Sequence, residues 1–426
     1  MKKLLYIVLD GLGDRPVGEL GGKTPLEAAE KANLDRITPD SKLGIVYTVG
    51  RGIAPESDIA VISILGYDAH KYYTGRGPLE SFAEGLDVKD GDLAYRVNFA
   101  TLGKNGEIID RRVGRNLTTK EASALSKEVN SGVRLTSASF EFKNTIGHRG
   151  VLVMRSNKMK LSAEVTNTDP AYGKVGVFGV ALATFENFVK VCEPTDEGKG
   201  LKGAIEAARL TNEFLEKSKK VLKGAAVNKK RQSEGKMPAN VILARDGGDR
   251  LPKFPDIKGL FKIKMGCFVE MPVEKGIALL TGMDIVKIPL PTGNARDDYK
   301  LRADKVIEAM KRFDALYIHI KGPDEPAHDG NFLKKKESIE AIDEHFFGNL
   351  FDKIPLEDTV IAVTADHSTP CEMKAHSADP VPFLLYDASQ GGDKLATFGE
   401  AQSKRGSLGE LKGSQIMPLL VECIRK

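Results

Sequence analysis

The sequence predicts an α/β protein built on a mainly parallel sheet flanked by helices, with a smaller α+β domain inserted into it. Three observations carry that prediction. Apolar, β-branched-rich runs at residues 4–9, 315–320 and 360–363 read as buried strands. Each is followed at once by acidic, basic or histidine residues: Asp10, then Lys321-Gly322-Pro323-Asp324, then Thr364-Ala365-Asp366-His367. Between the second and third runs, Ile339, Ile342, Phe346 and Leu350 recur at helical spacing and supply the crossover that parallel strands require. In such sheets ligands sit beyond the carboxyl ends of the strands, and all three polar clusters fall at that edge.

Taken in order, the opening run meets Asp10 instead of a small-residue cleavage site, so it is expected to be a first strand and not a signal peptide. An apolar run at 59–65 follows Pro55-Glu56-Ser57-Asp58, which places Ser57 at a helix N-terminus. From about residue 85 to 168 the texture changes to short alternating runs, at 94–102 and 150–154, around one helix at 119–129 opened by Thr118, Thr119 and Glu121. Residues 85–168 are therefore read as the inserted domain, and 1–84 with 169–426 as its host. Downstream, 203–222 has the pattern of an amphipathic helix, and 228–236 is a charged loop or helix end. The run at 240–244 reads as a return to the main sheet, closed by the turn Asp246-Gly247-Gly248-Asp249.

Composition narrows the function classes. A 41% hydrophobic and 29% charged chain is that of a soluble globular protein, and no apolar run approaches the roughly 20 residues a membrane span needs. Four scattered cysteines without a C-x-x-C pair argue against a disulfide framework or a zinc knuckle and suit a reducing cytoplasm. The formal charge of +4 is spread among interleaved acids and bases, which gives no footprint for nucleic acid. A small anionic substrate needs only a local basic pocket.

The chemistry concentrates at the strand ends. Asp324-Glu325-Pro326-Ala327-His328 puts a carboxylate and an imidazole one helical turn apart, on one face, where both can reach one cation. Asp366-His367 and, nine residues on, His376 add three more candidate ligands, and Asp10 completes the set. Any one of these pairs is an ordinary surface ion pair or cap; of seven histidines, however, three lie in these two segments beside strand-end aspartates. Oxygen and imidazole donors without thiolate suit Mn²⁺, Mg²⁺ or Zn²⁺, and ligands from three strand ends imply two divalent metal ions. Such a pair stabilises the attacking and leaving oxygens of an in-line displacement, hence phosphoryl transfer, with Ser57 as nucleophile at the phosphate-favouring start of its helix. The Gly11-Leu12-Gly13 segment lacks the third glycine of a dinucleotide fingerprint, since Pro16 stands there. In the inserted region Arg96, Asn98, Asp110, Arg111, Arg112, Arg115, His148 and Arg149 offer forks and amides for a phosphorylated acid, and Lys321 of the host is placed to reach its phosphate.

The residues Tyr6-Ile7-Val8-Leu9-Asp10-Gly11-Leu12-Gly13-Asp14, Ser57-Asp58, Gly66-Tyr67-Asp68, Gly75-Arg76-Gly77, Arg96-Val97-Asn98-Phe99-Ala100-Thr101, Asp110-Arg111-Arg112, Asp324 with His328, and Thr364-Ala365-Asp366-His367-Ser368-Thr369-Pro370 with His376-Ser377 resemble a known pattern. It is that of the cofactor-independent phosphoglycerate mutases of the shorter, archaeal type, within the alkaline phosphatase superfamily. The resemblance runs over essentially the whole chain. It implies that Asp324, His328 and His376 hold one metal while Asp10, Ser57, Asp366 and His367 hold the other. It further implies a manganese pair (cobalt, zinc or magnesium being possible), transient phosphorylation of Ser57, and a hinged insert that grips the glycerate and keeps water out. No 2,3-bisphosphoglycerate is then required. The competing reading is a metal-dependent phosphohydrolase, or a phosphomutase for another small phosphorylated substrate, since the metal ligands would be the same.

Overall fold

The computed structural model describes residues 1–175, 178–182 and 184–426. The chain divides into two compact units, Met1–Tyr72 with Phe254–Lys426, and Tyr73–Lys253. Among the described residues no helix is long and apolar enough to cross a membrane.

The first unit is organised by an eight-stranded sheet in the order Asp284–Ile285, Met265–Phe268, Ala315–Ile320, Lys3–Leu9, Thr359–Thr364, Val381–Tyr386, Ser41–Tyr47, Gly409–Lys412. All pairings are parallel except the two made by Val381–Tyr386, so this single strand runs against the rest. The three runs singled out in the sequence are the centre of the sheet and are buried along their length, as expected of strands covered on both faces. One helix group, Ser57–Ile64, Pro272–Leu280 and Gly413–Arg425, packs together, while Ala295–Met310, Phe332–Ile342 and Gly348–Phe351 form another. Register aligns the central strand ends: Val8 pairs with His319 on one side and Thr364 on the other, so Asp10, Lys321 and Asp366 all emerge at one edge.

The second unit has its own sheet and core. Its central strand Leu93–Leu102 pairs antiparallel with Arg149–Ser156 and with Val241–Gly248, and Ala138–Asn144 extends the sheet beyond Arg149–Ser156. Leu93, Tyr95, Val97 and Phe99 share one face and pack on the helices Thr119–Gly132 and Lys202–Gly224 through Leu125, Val129, Leu210 and Phe214. The first of these helices opens with the expected capping box between Thr118 and Glu121.

This unit is larger than the expected 85–168. The run at 240–244 is indeed a strand, but it joins the second sheet and not the main one, and it continues through Gly248 where a turn was expected. A buried apolar strand reads the same whichever sheet it enters. Because Val241–Gly248 pairs there and Lys202–Gly224 covers the same core, residues 169–253 belong to the second unit, as do 73–84, whose helix Arg76–Ala83 packs on Leu93–Leu102.

Candidate active site

Two loops at the sheet edge, after Lys3–Leu9 and after Thr359–Thr364, are held by short bridges: Leu12 and Gly13 to Ser368, and, within the second loop, Ser368 to Ser377. The first loop must turn sharply. Gly11 adopts φ +62°, and a Cβ there would lie 2.5 Å from Asp324 Oδ1 and 2.9 Å from Thr369 Oγ1, so glycine is required on both counts.

Two groups of ligand atoms result. Asp324, His328 and His376 form one trio and Asp10, Asp366 and His367 the other, the atoms of each lying within 4.8 Å of one another. Asp324 and His328 lie on the one-turn helix Asp324–His328, with His328 Nε2 3.4 Å from Asp324 Oδ2. His376 Nε2 is 3.9 Å from Asp324 Oδ1. In the second trio His367 Nε2 is 3.4 Å from Asp10 Oδ1 and 3.3 Å from Asp366 Oδ2. Ser57 is the first residue of the helix Ser57–Ile64, and its Oγ is 3.3 Å from His367 Nε2.

All three imidazoles are tethered by Nδ1 and turn Nε2 inward. His328 Nδ1 is 3.0 Å from the Lys374 carbonyl and His376 Nδ1 2.8 Å from the Pro55 carbonyl, acceptors to which the ring nitrogen must donate. His367 Nδ1 meets the Thr369 hydroxyl at 3.0 Å.

The charges are arranged for a cation. Asp10 Oδ1 and Asp366 Oδ2 are buried without a hydrogen-bond partner, which a buried carboxylate tolerates only where a cation is to be bound or a proton is retained. Burial, then the proximity of Asp10, pushes the Asp366 carboxyl up to about 7. Burial acts on Asp10 in the same direction, but Lys321, His367 and His319 outweigh it and hold Asp10 below the ordinary value. Burial keeps His367 and His376 below the usual imidazole range, while the hydrogen bond to Asp324 lifts His328 to about 9. In the second trio two carboxylates with unpartnered oxygens face the inward-turned His367 and fit a divalent ion; the first trio offers Asp324 and two inward-turned imidazoles, a donor set that suits another.

Behind this layer lie Lys321, which the sequence singled out, and two groups it did not, Glu274 and His319. The Lys321 ammonium sits between Asp10 and Glu274, 2.7 Å from the latter. His319, inside the strand, faces Asp366 at 3.7 Å while its Nδ1 meets the Tyr317 hydroxyl at 3.1 Å. The available signal was a histidine within the otherwise apolar run 315–320 and a lone glutamate in the apolar helix Pro272–Leu280.

In the second unit, the face of the central strand opposite its core carries Arg96 and Asn98. Register places Arg245 opposite Arg96 and Arg149 opposite Asn98. Glu80 binds Arg76 at 2.6 Å and lies 3.6 Å from Arg96. The Arg111 fork closes on Asp169 at 2.9 and 2.6 Å, and Arg245 reaches the same carboxylate at 3.3 Å while stacking 3.8 Å over Tyr172. Asp110 accepts from the Arg112 amide at 2.6 Å, a turn contact that leads into consecutive left-handed residues Val113, Gly114 and Arg115. That conformation is strained for the β-branched Val113 and presents Arg112 and Arg115 to solvent. Positive charge dominates: burial, then Arg149, Arg112, Arg245 and Arg96, depresses His148 to about 4. Every predicted arginine is thus in this unit, but Arg111 is committed to Asp169. Arg245, Glu80, Asp169 and Asp246 were missed, and all four lie in stretches, 73–84 and 169–253, that were assigned to the other unit.

A curated relative from Aeropyrum pernix, a 2,3-bisphosphoglycerate-independent phosphoglycerate mutase, is 43% identical over 98% of this chain and 98% of its own. The chain belongs to that family. The family model for 2,3-bisphosphoglycerate-independent phosphoglycerate mutase matches residues 39–228. A mutase of the same description from Thermococcus kodakarensis is 40% identical, covering 100% of this chain and 98% of its own. Among solved structures, a Pyrococcus horikoshii protein superposes with TM-score 0.78 at 31% identity, covering 100% and 97% of the two chains. A cofactor-independent phosphoglycerate mutase from Thermoplasma acidophilum does so with TM-score 0.64 at 30% identity over 100% of both. Like its family, the chain is a metal-dependent isomerase without need of 2,3-bisphosphoglycerate.

Proposed function

We propose that this mutase interconverts 3-phosphoglycerate and 2-phosphoglycerate through a phosphoserine at Ser57, beside two divalent ions, manganese by preference. The observation that carries the proposal is Ser57 Oγ at the start of its helix, 3.3 Å from a histidine of the second ligand trio. Asp324, His328 and His376 would hold one ion, and Asp10, Ser57, Asp366 and His367 the other. When bound, the ions supply charge neutralisation at the transferred phosphoryl group and lower the pKa of the serine hydroxyl.

Ser57 Oγ would then bond to phosphorus as the bond to the glycerate O3 breaks, the serine proton passing to O3; transfer back to O2 of the same glycerate, whose proton returns to Ser57, completes the isomerisation. The start of Ser57–Ile64 would offer the phosphate the positive end of the helix dipole. Lys321, paired with two buried carboxylates, is held charged well above the ordinary lysine range by Asp10 and Glu274 despite burial. The arginine-rich face of the second unit binds the glycerate carboxylate, with Arg149, Arg112 and Arg115 as its uncommitted forks and Arg96, Asn98 and His148 between them. Retaining the glycerate is what separates a mutase from a phosphatase. The protein acts in the cytoplasm.

The test is to chelate the metal, restore Mn²⁺, and assay interconversion without added 2,3-bisphosphoglycerate. Protein quenched during turnover is then mapped by mass spectrometry. Phosphate on the Ser57 peptide is expected; turnover with no phosphate on that peptide overturns the assignment.

A further inference from the structure

His328 and His376 have their tautomers set by carbonyls, which can only accept. His367 is different, because its Nδ1 meets a hydroxyl that can give or take a proton. The ambiguity is removed one bond further on. Thr369 Oγ1 is 2.8 Å from Asp324 Oδ1, a carboxylate, and must spend its only proton there. It is left to accept from His367 Nδ1 at 3.0 Å, so that Nε2 carries the lone pair facing Asp10, Asp366 and Ser57. Thr369 is fully buried, so no solvent competes for either bond.

The backbone of Thr369 is itself fixed. Its amide donates to the Gly13 carbonyl at 2.9 Å. The Lys335 ammonium, fully buried, spends its three protons on the Gly13 carbonyl, the Thr369 carbonyl and Asp14 Oδ2, at 3.0, 3.0 and 2.9 Å. Asp14 in turn accepts from the Cys371 amide at 3.2 Å. The loops after the first strand and after Thr359–Thr364 are thus pinned at one point, directly beneath the hydroxyl.

We propose that Thr369 is a positioning residue whose single hydroxyl orients a ligand of each trio, fixing the His367 tautomer and the Asp324 rotamer together. The inference rests on the two trios being metal sites and adds how they are coupled. Loss of the hydroxyl should weaken both sites at once, because Asp324 belongs to one and His367 to the other.

The test compares Thr369→Val, which keeps the shape and removes the hydroxyl, with Thr369→Ser, which keeps the hydroxyl. Mn²⁺ affinity is measured by chelator competition, and histidine tautomers are read by ¹⁵N NMR on the metal-free proteins. For Thr369→Val a loss of about 10–100-fold in affinity at both sites is expected, with the His367 signal shifting from a single Nδ1–H tautomer to a mixture. Thr369→Ser should match wild type in both readouts. Wild-type affinity or an unchanged His367 tautomer in Thr369→Val overturns the proposal, as does a loss that Thr369→Ser fails to restore. His367→Ala is the control: if it too leaves Mn²⁺ binding unchanged, the metal assignment itself fails, whereas loss in His367→Ala with none in Thr369→Val sinks only the positioning role.

Discussion

The imidazoles of His367 and His376 stack, with ring centroids 3.7 Å apart and planes 20° from parallel. Each ring belongs to a different trio, so the two candidate metal sites share a wall of two aromatic rings. Burial, and for His376 also the charge that His367 would carry, keeps both rings neutral and their Nε2 lone pairs available.

His328 behaves oppositely and gives the first prediction. Its folded value of about 9, raised by Asp324, lies above the ordinary 6.5. The stability it contributes to the metal-free protein is therefore fully present below pH 6.5 and lost as pH rises through about 9. Its side chain is 41% exposed, so solvent screening limits the effect to roughly 1 kcal/mol. Thermal melts of metal-stripped protein from pH 6 to 10 should show this decline and lose it in His328→Asn. Because a metal must displace that proton, Mn²⁺ affinity should also rise about tenfold per pH unit over the lower part of this window.

Ser57→Ala should abolish mutase turnover, by more than about a thousandfold, with the fold retained and Mn²⁺ binding retained at the Asp324, His328 and His376 trio. Ser57 is partly exposed at the start of its helix and contributes little to packing. Steady-state kinetics with circular dichroism of the same sample checks this, and near-normal turnover removes the nucleophile.

Arg111 and Arg112 should separate although they are neighbours in sequence. Arg111 donates twice to the buried Asp169, which keeps Arg245 as its other partner, so Arg111→Ala should cost about 1.5–3 kcal/mol of stability in the second unit. Arg112 is exposed at the strained turn, so Arg112→Ala should leave the melting temperature unchanged and loosen the glycerate. One lost charge-assisted contact is worth about 1.5–3 kcal/mol. The ratio of released phosphate to mutase product should accordingly rise in Arg112→Ala at constant metal content. An unchanged ratio would assign Arg112 to the surface alone.

Lys335→Met leaves Asp14 buried without its counter-ion and should destabilise the first unit by about 3–5 kcal/mol. Adding Asp14→Asn should recover part of that loss, because the penalty is the unpaired charge and not the missing stem. Chemical denaturation of the single and double variants measures the coupling.

The clustering of the strand-end candidate ligands was legible because each chemical group stands at a fixed offset from a strongly apolar run. Asp10, Asp366 and the Asp324/His328 pair follow from that pattern alone. Glu274 and His319 were not legible, since a buried charge within an apolar element is identified only by what lies opposite it, and strand order decides that. Arg245 was hidden for a related reason. The run before it specifies a strand but not its partner, and pairing with Leu93–Leu102 spans well over a hundred residues. Lys335 looked like one of three consecutive solvated lysines, yet helical phase turns it inward while Lys334 and Lys336 point away.

The place where the chain leaves the first unit and the place where it returns are neighbours: the Tyr72 and Phe254 rings lie 5.5 Å apart. Inside the second unit Thr74 Oγ1 donates to the Arg250 carbonyl at 2.8 Å, so that its two ends are clasped as well. Topologically the first unit sees no more than a tight loop between these residues, however much polypeptide the loop contains. Loop-closure entropy grows only logarithmically with length, and an already fastened neck removes most of even that dependence. Mutational load on the second unit is therefore insulated from the folding of the eight-stranded sheet, and each unit can change its sequence at its own pace.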